Sequence, residues 1–384
     1  MFARYFWVEM HRLFVFIFIG FISVGTRSQS IDTLLTEVLH FQVEEDAFYA
    51  SGLVPTQRKQ TFIWREDDNI FFTASTLYVL QSLSPYFNKY QDSILTNFES
   101  NAIQNYPNYC QKEWNYTCNF WVPAPQRHFP NSLYSKFKRF AIPDDFDDTS
   151  LLLATGDFSK KQLHLAAQKL LMHRNWPDIQ IKSTFKRYRP FEAYSTWVGK
   201  NMPVDFDICV HANILAMKFK NEMPLNRADT ITLDLIESIL SHEDHLKHPQ
   251  IVSPHYQKSE VIIYHLARLV QADPLNLTRN IKPYVAMGVQ ALRKEKNSNW
   301  KQLLLHNAGL MIGLKPCSDF DFSQLKPGKL RFFVANFTSV NRLWLRRLTE
   351  PLGITEVPYR CQAFEQALVI EAKVLQQVHC KQNF

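Results

Sequence analysis

A chain of 384 residues, 46% hydrophobic and 14% aromatic, can bury a sizeable core but is short for three domains. Ten glycines are few for an α/β nucleotide-binding fold, whose phosphate turns depend on glycine. The net charge of +7 arises from 43 basic and 36 acidic residues scattered without a basic block or aromatic–basic interleaving, which argues against nucleic acid as a partner.

The N-terminus differs in kind from the rest. Leu13 to Gly25 is a run of apolar or small residues, preceded by Arg4, His11 and Arg12 and followed by Thr26-Arg27-Ser28-Gln29-Ser30. This is the layout of a secretory signal: basic start, short apolar core, small-residue exit. A bilayer-spanning helix needs about 17–25 apolar residues. Residues 1–28 are therefore expected to be a signal peptide for export, with a retained N-terminal anchor, and hence membrane-surface association, as the alternative. Residues 31–384 are expected to form one domain.

Six cysteines suit an exported chain. Cys110 and Cys118 bracket a short polar-aromatic loop and are spaced to close a disulfide. Cys317, Cys361 and Cys380 can pair among themselves, and Cys209 in an apolar run reads as a buried free thiol. The lack of any Cys-x-x-Cys argues against structural zinc. Asn115, Asn276 and Asn336 sit in Asn-x-Thr sequons.

Apolar residues at three- and four-residue spacing predict helices over Phe71–Leu83, Gln162–Met172, Ile208–Phe219, Ile231–Ser241, Val261–Ala272 and Ala363–Val378. One strand or hairpin is read at 329–337, beside the Pro327-Gly328 turn. Several helix starts share a signature. Trp64 to Asn69 is acidic, while Pro143-Asp144-Asp145, Pro203 to Asp207, Pro254-His255-Tyr256 and Pro358 to Cys361 carry a proline, which the first helical turn tolerates. The gaps between these starts each have room for a returning helix, and the segment Asn299–Leu314 supplies a further hairpin. The expectation is an all-α fold, an α/α toroid of helical hairpins whose inner helices start at one mouth.

Helix N-termini gathered at a mouth favour acidic residues by about 0.3–1 kcal/mol each. Capping of this kind accounts for Glu66, Asp67 and Asp68. The density at Asp144, Asp145, Asp147 and Asp148 exceeds it. Like charges within about 4–6 Å raise at least one pKa, and a carboxyl kept protonated beside ionised neighbours is a general acid.

Asp145-Phe146-Asp147-Asp148-Thr149-Ser150, running into Leu151-Leu152-Leu153-Ala154, resembles the acid motif of class II terpene cyclases and squalene–hopene cyclases. In that family the motif is Asp-x-Asp-Asp-Thr-Ala before an apolar helix. Val210-His211-Ala212-Asn213-Ile214-Leu215, one hairpin downstream, is similar to the family's Val-Thr-Ala-His-Val-Leu segment. The resemblance covers residues 140–220 well and the remainder only as architecture. It implies that Asp147 protonates an alkene or epoxide, with Asp145 and Asp148 as flanking partners. Asn213 stands where the family places a histidine that orients the acid; an asparagine donates the same bond without the charge. His211 would serve only if the register slipped. The implied substrate is a hydrophobic isoprenoid or another small molecule, and the acid step requires no metal or redox cofactor. Pro190 to Trp197 is expected to line the same mouth, with Tyr194, Trp197 and Phe146 offering π faces to substrate.

Other clusters read as structural. His242, Glu243, Asp244, His245 and His248 have ligand-like spacing but run into Pro249 as a helix end, so no metal site is expected. Lys186-Arg187-Tyr188-Arg189 is a charged loop with the chemistry to grip a phosphate or an acidic glycan. Two further functions suit the same toroid: an exported carbohydrate-active hydrolase or lyase, with carboxylates on both walls of an open cleft, and a non-catalytic binding protein. A deep aromatic cavity in front of Asp147 would favour the cyclase.

Overall fold

Helices that are apolar on every side take interior positions, and helices with one apolar stripe cover them. The computed structural model describes residues 29–44, 48–60, 62–110, 116–199, 202–295, 298–314, 320–349 and 356–381. Residues 1–28, Asn115 and Cys317, on which expectations were placed, lie outside the described residues. The main helices are α1 (Ile31–His40), α2 (Phe71–Leu83), α3 (Lys89–Ile103), α4 (Phe146–Thr155), α5 (Lys160–Met172) and α6 (Ile208–Lys220). They continue with α7 (Arg227–Ser241), α8 (Ser259–Ala272), α9 (Ile281–Arg293), α10 (Asn299–Met311) and α11 (Gln362–Lys381). Every helix expected from the periodicity is present.

Burial sorts them. All of α4 is buried, as is α6 up to Phe219 and most of α2, α8 and α10. These helices and α11 form a closed circuit of neighbours: α2 packs on α4, α4 on α6, α6 on α8, α8 on α10, α10 on α11, and α11 back on α2. Around it, α3 covers α2, α7 covers α6, α9 covers α8 and α10, and α1 covers α3 and α11. Three helices start with capping boxes, Asn88/Gln91 for α3, Ser159/Gln162 for α5 and Asn226/Asp229 for α7. No helix among the described residues is long and apolar enough to cross a membrane.

The chain is helix-rich, and the one strand or hairpin expected near 329–337 is part of a small four-stranded antiparallel sheet. Its strands are β1 (Thr56–Gln60), β2 (Ile63–Asp67), β3 (Val334–Asn336) and β4 (Glu356–Arg360), in the order β2-β1-β4-β3. Only β3 falls in the expected strand, and it is shorter. β4 occupies Pro358 to Arg360, read as a helix start, and runs directly into α11. β2 replaces the helix start read at Trp64. The capping role assigned to Asp67 and Asp68 fails with it: α2 has no side-chain cap. Asp67 instead pairs with the fully buried Arg58 of β1 at 2.7 Å and accepts from Trp121 Nε1 at 3.0 Å. Asp68 pairs with Arg127 at 2.8 Å. These charges explain why the sheet was illegible, since the β1 sequence Thr-Gln-Arg-Lys-Gln has no apolar alternation to detect. The register Arg58↔Tyr359 ties the two ends of the chain together.

Candidate active site

The start of α4 is built by its neighbours in space. Asp145 is the N-cap, its carboxylate accepting from the Asp148 N–H at 2.8 Å. On one side the Asp145 N–H donates to the Cys118 carbonyl at 3.2 Å, and Cys118 N–H donates to Thr149 Oγ1 at 2.9 Å. The Cys110–Cys118 disulfide forms as expected and holds that side. On the other side Phe146 N–H donates to the Thr196 carbonyl at 2.8 Å and Val198 N–H to the Asp144 carbonyl at 2.9 Å. The motif is thus clamped between two extended segments, which fixes where its three carboxyls point.

Asp147 projects into the helix circuit and is gripped at both oxygens. Asn213 Nδ2 on α6 donates to Oδ1 at 2.7 Å, and the Tyr256 hydroxyl, just before α8, donates to Oδ2 at 2.6 Å. The sequence expectation that Asn213 meets Asp147 is therefore met in the geometry. Tyr256 was not expected. Its segment was flagged only as a helix start, and Gln257 beside it adopts a left-handed φ of 52°, a costly conformation for a long side chain, in the turn that carries the tyrosine.

Burial dominates the electrostatics. It raises the Asp147 pKa, partly offset by the Tyr256 and Asn213 hydrogen bonds. Asp145 is pushed up to about 7 by burial and then by the Asp147 charge. Asp148 lies well above the carboxylate range because of burial and then the charges of Asp145 and Asp147, and its Oδ1 has no hydrogen-bond partner among the described residues. Three adjacent carboxyls out of water cannot all be ionised, so the cluster retains protons at neutral pH. Burial also holds the Tyr256 hydroxyl protonated, as a donor.

Asp145, Asp147 and Asp148 all line one cavity of about 280 Å³, open on one side. Facing them are Phe120, Trp121 and Trp197, together with Phe333, Ala335, Phe337 and Tyr359 from in and around β3 and β4. The sheet that the sequence concealed is therefore one wall of the site. His255 lines the same space, its ring 5.6 Å from that of Trp197. Its Nε2 faces Asp205 Oδ2 at 3.8 Å, an ion-pair distance too long for a direct hydrogen bond. Burial alone would depress the His255 pKa, but Asp205 and Asp207 raise it; burial alone would raise Asp205, but His255 and Arg346 bring it down. His255 therefore faces the acid cluster with a raised pKa, and Arg268 acts on Asp147 alongside it. A second cavity of about 340 Å³, lined by His128, Lys169 and Asp144, shares Trp121, Ile142 and Pro143 with the first.

Other expected positions differ. Trp197 lines the cavity, but Tyr194 and Phe146 do not. The Tyr194 hydroxyl donates to Asp229 at 2.9 Å, and the buried Phe146 ring lies 6.4 Å from His173. Phe146 is the first residue of α4 and is fully buried in the core. His211 Nε2 donates to the Tyr194 carbonyl at 2.7 Å, and burial lowers its pKa to about 4, so it is neutral and engaged elsewhere. Asp144 does not cap; it accepts from Thr117 Oγ1 at 2.6 Å and Asn119 Nδ2 at 3.3 Å.

In the His242–His248 segment, Asp244 is taken up by Arg187 and Tyr188, and no three metal-binding side chains among the described residues are grouped to hold an ion. The loop Lys186 to Arg189 is thereby committed to structure at Arg187. Cys209 is a buried free thiol, as expected, and Cys361 and Cys380 are also free. Asn336 is buried at the cavity wall, its Oδ1 accepting from Thr338 N–H and Oγ1, so folding closes that sequon. No protein-family model matches the chain, and no curated protein matches it either.

Proposed function

We infer that the chain is an acid-initiated isoprenoid cyclase of the class II terpene cyclase kind, folded as a toroid of helical hairpins, with Asp147 as the proton donor. One observation carries this reading: a buried carboxyl with both oxygens held by neutral donors faces an aromatic cavity. The closed circuit of buried helices supports the toroid.

In the proposed step the π electrons of a terminal alkene take the Asp147 proton, forming a C–H bond and leaving a tertiary cation on the neighbouring carbon. Negative charge develops on Asp147, where Asn213 Nδ2 and the Tyr256 hydroxyl already point, so they stabilise the transition state more than the ground state. Trp197, Phe120 and Phe333, which line the cavity, offer π electrons to attract the cation while the next alkene closes the ring. Loss of a proton from carbon to water at the open side of the cavity ends the sequence; Asp145 or Asp148 passes a proton to Asp147 and regains one from solvent, so no net proton is consumed. The acid step needs no metal or redox cofactor. Export is proposed with it, on the strength of the N-terminal signal layout.

The open side of the cavity and the two tryptophans in its lining, Trp121 and Trp197, favour the second reading, a carbohydrate-active enzyme. Against it, the motif carboxyls all come from one turn of α4, whereas glycoside chemistry places its pair on opposite sides of a bond, about 5–9.5 Å apart. The test is product analysis after offering the full chain squalene, polyprenols, polyprenyl diphosphates and oligosaccharides. A cyclic product from wild type and none from Asp147→Asn supports the cyclase; cleaved glycan transfers the case to the alternative.

A further inference from the structure

Two segments far apart in sequence fold into one basic surface. Residues 181–191 hold Lys182, Lys186, Arg187 and Arg189, residues 339–349 hold Arg342, Arg346 and Arg347, and neither stretch contains a carboxylate. The backbone joins them, Leu343 N–H donating to the Lys182 carbonyl at 3.1 Å. The fully buried Arg346 pins the junction, donating from Nη1 to the Ser183 carbonyl at 2.9 Å and from Nη2 to the Gln250 carbonyl at 2.6 Å. The guanidinium groups of Arg187 and Arg347 lie over the same Phe185 ring, 4.6 and 5.6 Å from its centre. Ser339 and Val340 line the acid cavity, so the surface begins at its edge.

Cations gathered in this way repel one another unless carboxylates balance them. Here the balance is incomplete. Asp244 pairs with Arg187, and Arg189 Nε donates to the Thr184 carbonyl at 3.4 Å. Lys182, Lys186, Arg342 and Arg347 are exposed, and none of them pairs with a carboxylate among the described residues. Trp344, on the short helix Leu343–Thr349 between Arg342 and Arg347, is 61% exposed. An indole ring packs on the C–H face of a sugar, and an arginine fork takes a carboxylate or sulfate through paired N–H bonds.

We propose that this surface binds an acidic polysaccharide, a chain of sugars that carries carboxylate or sulfate groups at intervals. Exposed cations outnumber the exposed large apolar side chains, Trp344 and Leu348, whereas a lipid interface takes a broad apolar face. One exposed indole is too few for the successive stacked bases of a single-stranded nucleic acid. An acidic glycan asks for what is present: unpaired cations from two adjoining segments and a single flat ring among them. The binding is independent of the chemistry at Asp147 and does not rest on the cyclase reading.

The test titrates the full chain with polygalacturonate and with heparin, and separately with neutral dextran, a DNA oligonucleotide and vesicles containing phosphatidylglycerol. The expected result is saturable binding to an acidic glycan and none to dextran, weakening as salt rises. Arg342→Gln with Arg347→Gln should raise the Kd at least about tenfold, as should Lys182→Gln with Lys186→Gln, without changing the circular dichroism spectrum. Trp344→Ser should weaken glycan binding by a smaller factor that persists at high salt. Lys160→Gln with Lys161→Gln removes the same charge from exposed positions of α5 and should leave the Kd nearly unchanged. None of these residues lines either cavity, so turnover should not move with them. Absence of glycan binding, an equal loss in the α5 variant, or tighter binding of DNA or vesicles than of either acidic glycan would overturn the proposal. Glycan binding without cyclic product would leave this inference standing and remove the cyclase.

Discussion

Two buried carboxyls in this molecule have the same hydrogen-bond partners and different surroundings. Asp147 accepts from an asparagine amide at 2.7 Å and a tyrosine hydroxyl at 2.6 Å. Glu371 of α11 accepts from Asn307 Nδ2 at 2.7 Å and the Tyr264 hydroxyl at 2.9 Å. Burial pushes Glu371 up to about 7, opposed by those two bonds and by the Arg268 charge. The partners alone therefore do not make a proton donor. The Arg268 guanidinium, stacked 4.0 Å from the Tyr78 ring, acts on both carboxyls, but Glu371 lines neither of the two cavities. Asp147 has two protonatable carboxyls beside it and an aromatic space in front. On the proposed reading the first carboxyl is chemical and the second architectural.

The largest expected effect separates them directly. Asp147→Asn should lower turnover by about 10²–10⁴-fold, the usual contribution of a general acid, with thermal stability nearly unchanged. Glu371→Gln should do the reverse, shifting the melting temperature and leaving turnover within a few-fold of wild type. Turnover and melting curves on both variants check the pair.

Next come the hydroxyls. Tyr256→Phe removes one donor from the site of developing charge, and such donors are typically worth about 10²–10³-fold in kcat. Tyr264→Phe removes the equivalent bond from Glu371 and should cost about 1–3 kcal/mol of stability with little kinetic consequence. A kinetic defect in Tyr264→Phe equal to that in Tyr256→Phe would dissolve the distinction.

The smallest effect is on pH dependence. Asp145 titrates at about 7 in the folded chain against 3.8 for an ordinary aspartate. Between those values the folded state holds a proton that the unfolded chain has lost. Its contribution to stability is thus greatest below about pH 4 and declines as pH rises toward about 7. Glu371 acts in the same direction. Asp205, whose pKa is lowered, acts in the opposite one. Melting temperatures measured from pH 4.5 to 8 should therefore have a downward component that Asp145→Asn reduces. Turnover should also decline above about pH 7 as the cluster loses its stored protons.

How much of this was legible in the sequence follows from the same physics. The buried helices were readable because their apolar spacing is strong, and Asp145, Asp147, Asp148 and Asn213 because two local motifs carry them. The sheet was not, since β1 and β2 bury charge through Arg58 and Asp67, which resembles a solvated segment. Tyr256 and His255 sit in a loop and become functional only by proximity to residues more than a hundred positions away. Phe333 and Tyr359 belong to strands, so their place at the cavity followed the sheet. Membership of the motif does not bring Phe146 to the mouth, because consecutive helical side chains point about 100° apart.

The central claim is that Asp147 delivers a proton to carbon, and the most direct measurement traces that proton. The full chain, equilibrated in deuterium oxide, would be given the isoprenoid it converts, and the product examined by mass spectrometry. The account predicts one carbon-bound deuterium per molecule at the initiation site from wild type, and no product from Asp147→Asn. A cyclic product free of deuterium, or the same labelled product from Asp147→Asn, would contradict it.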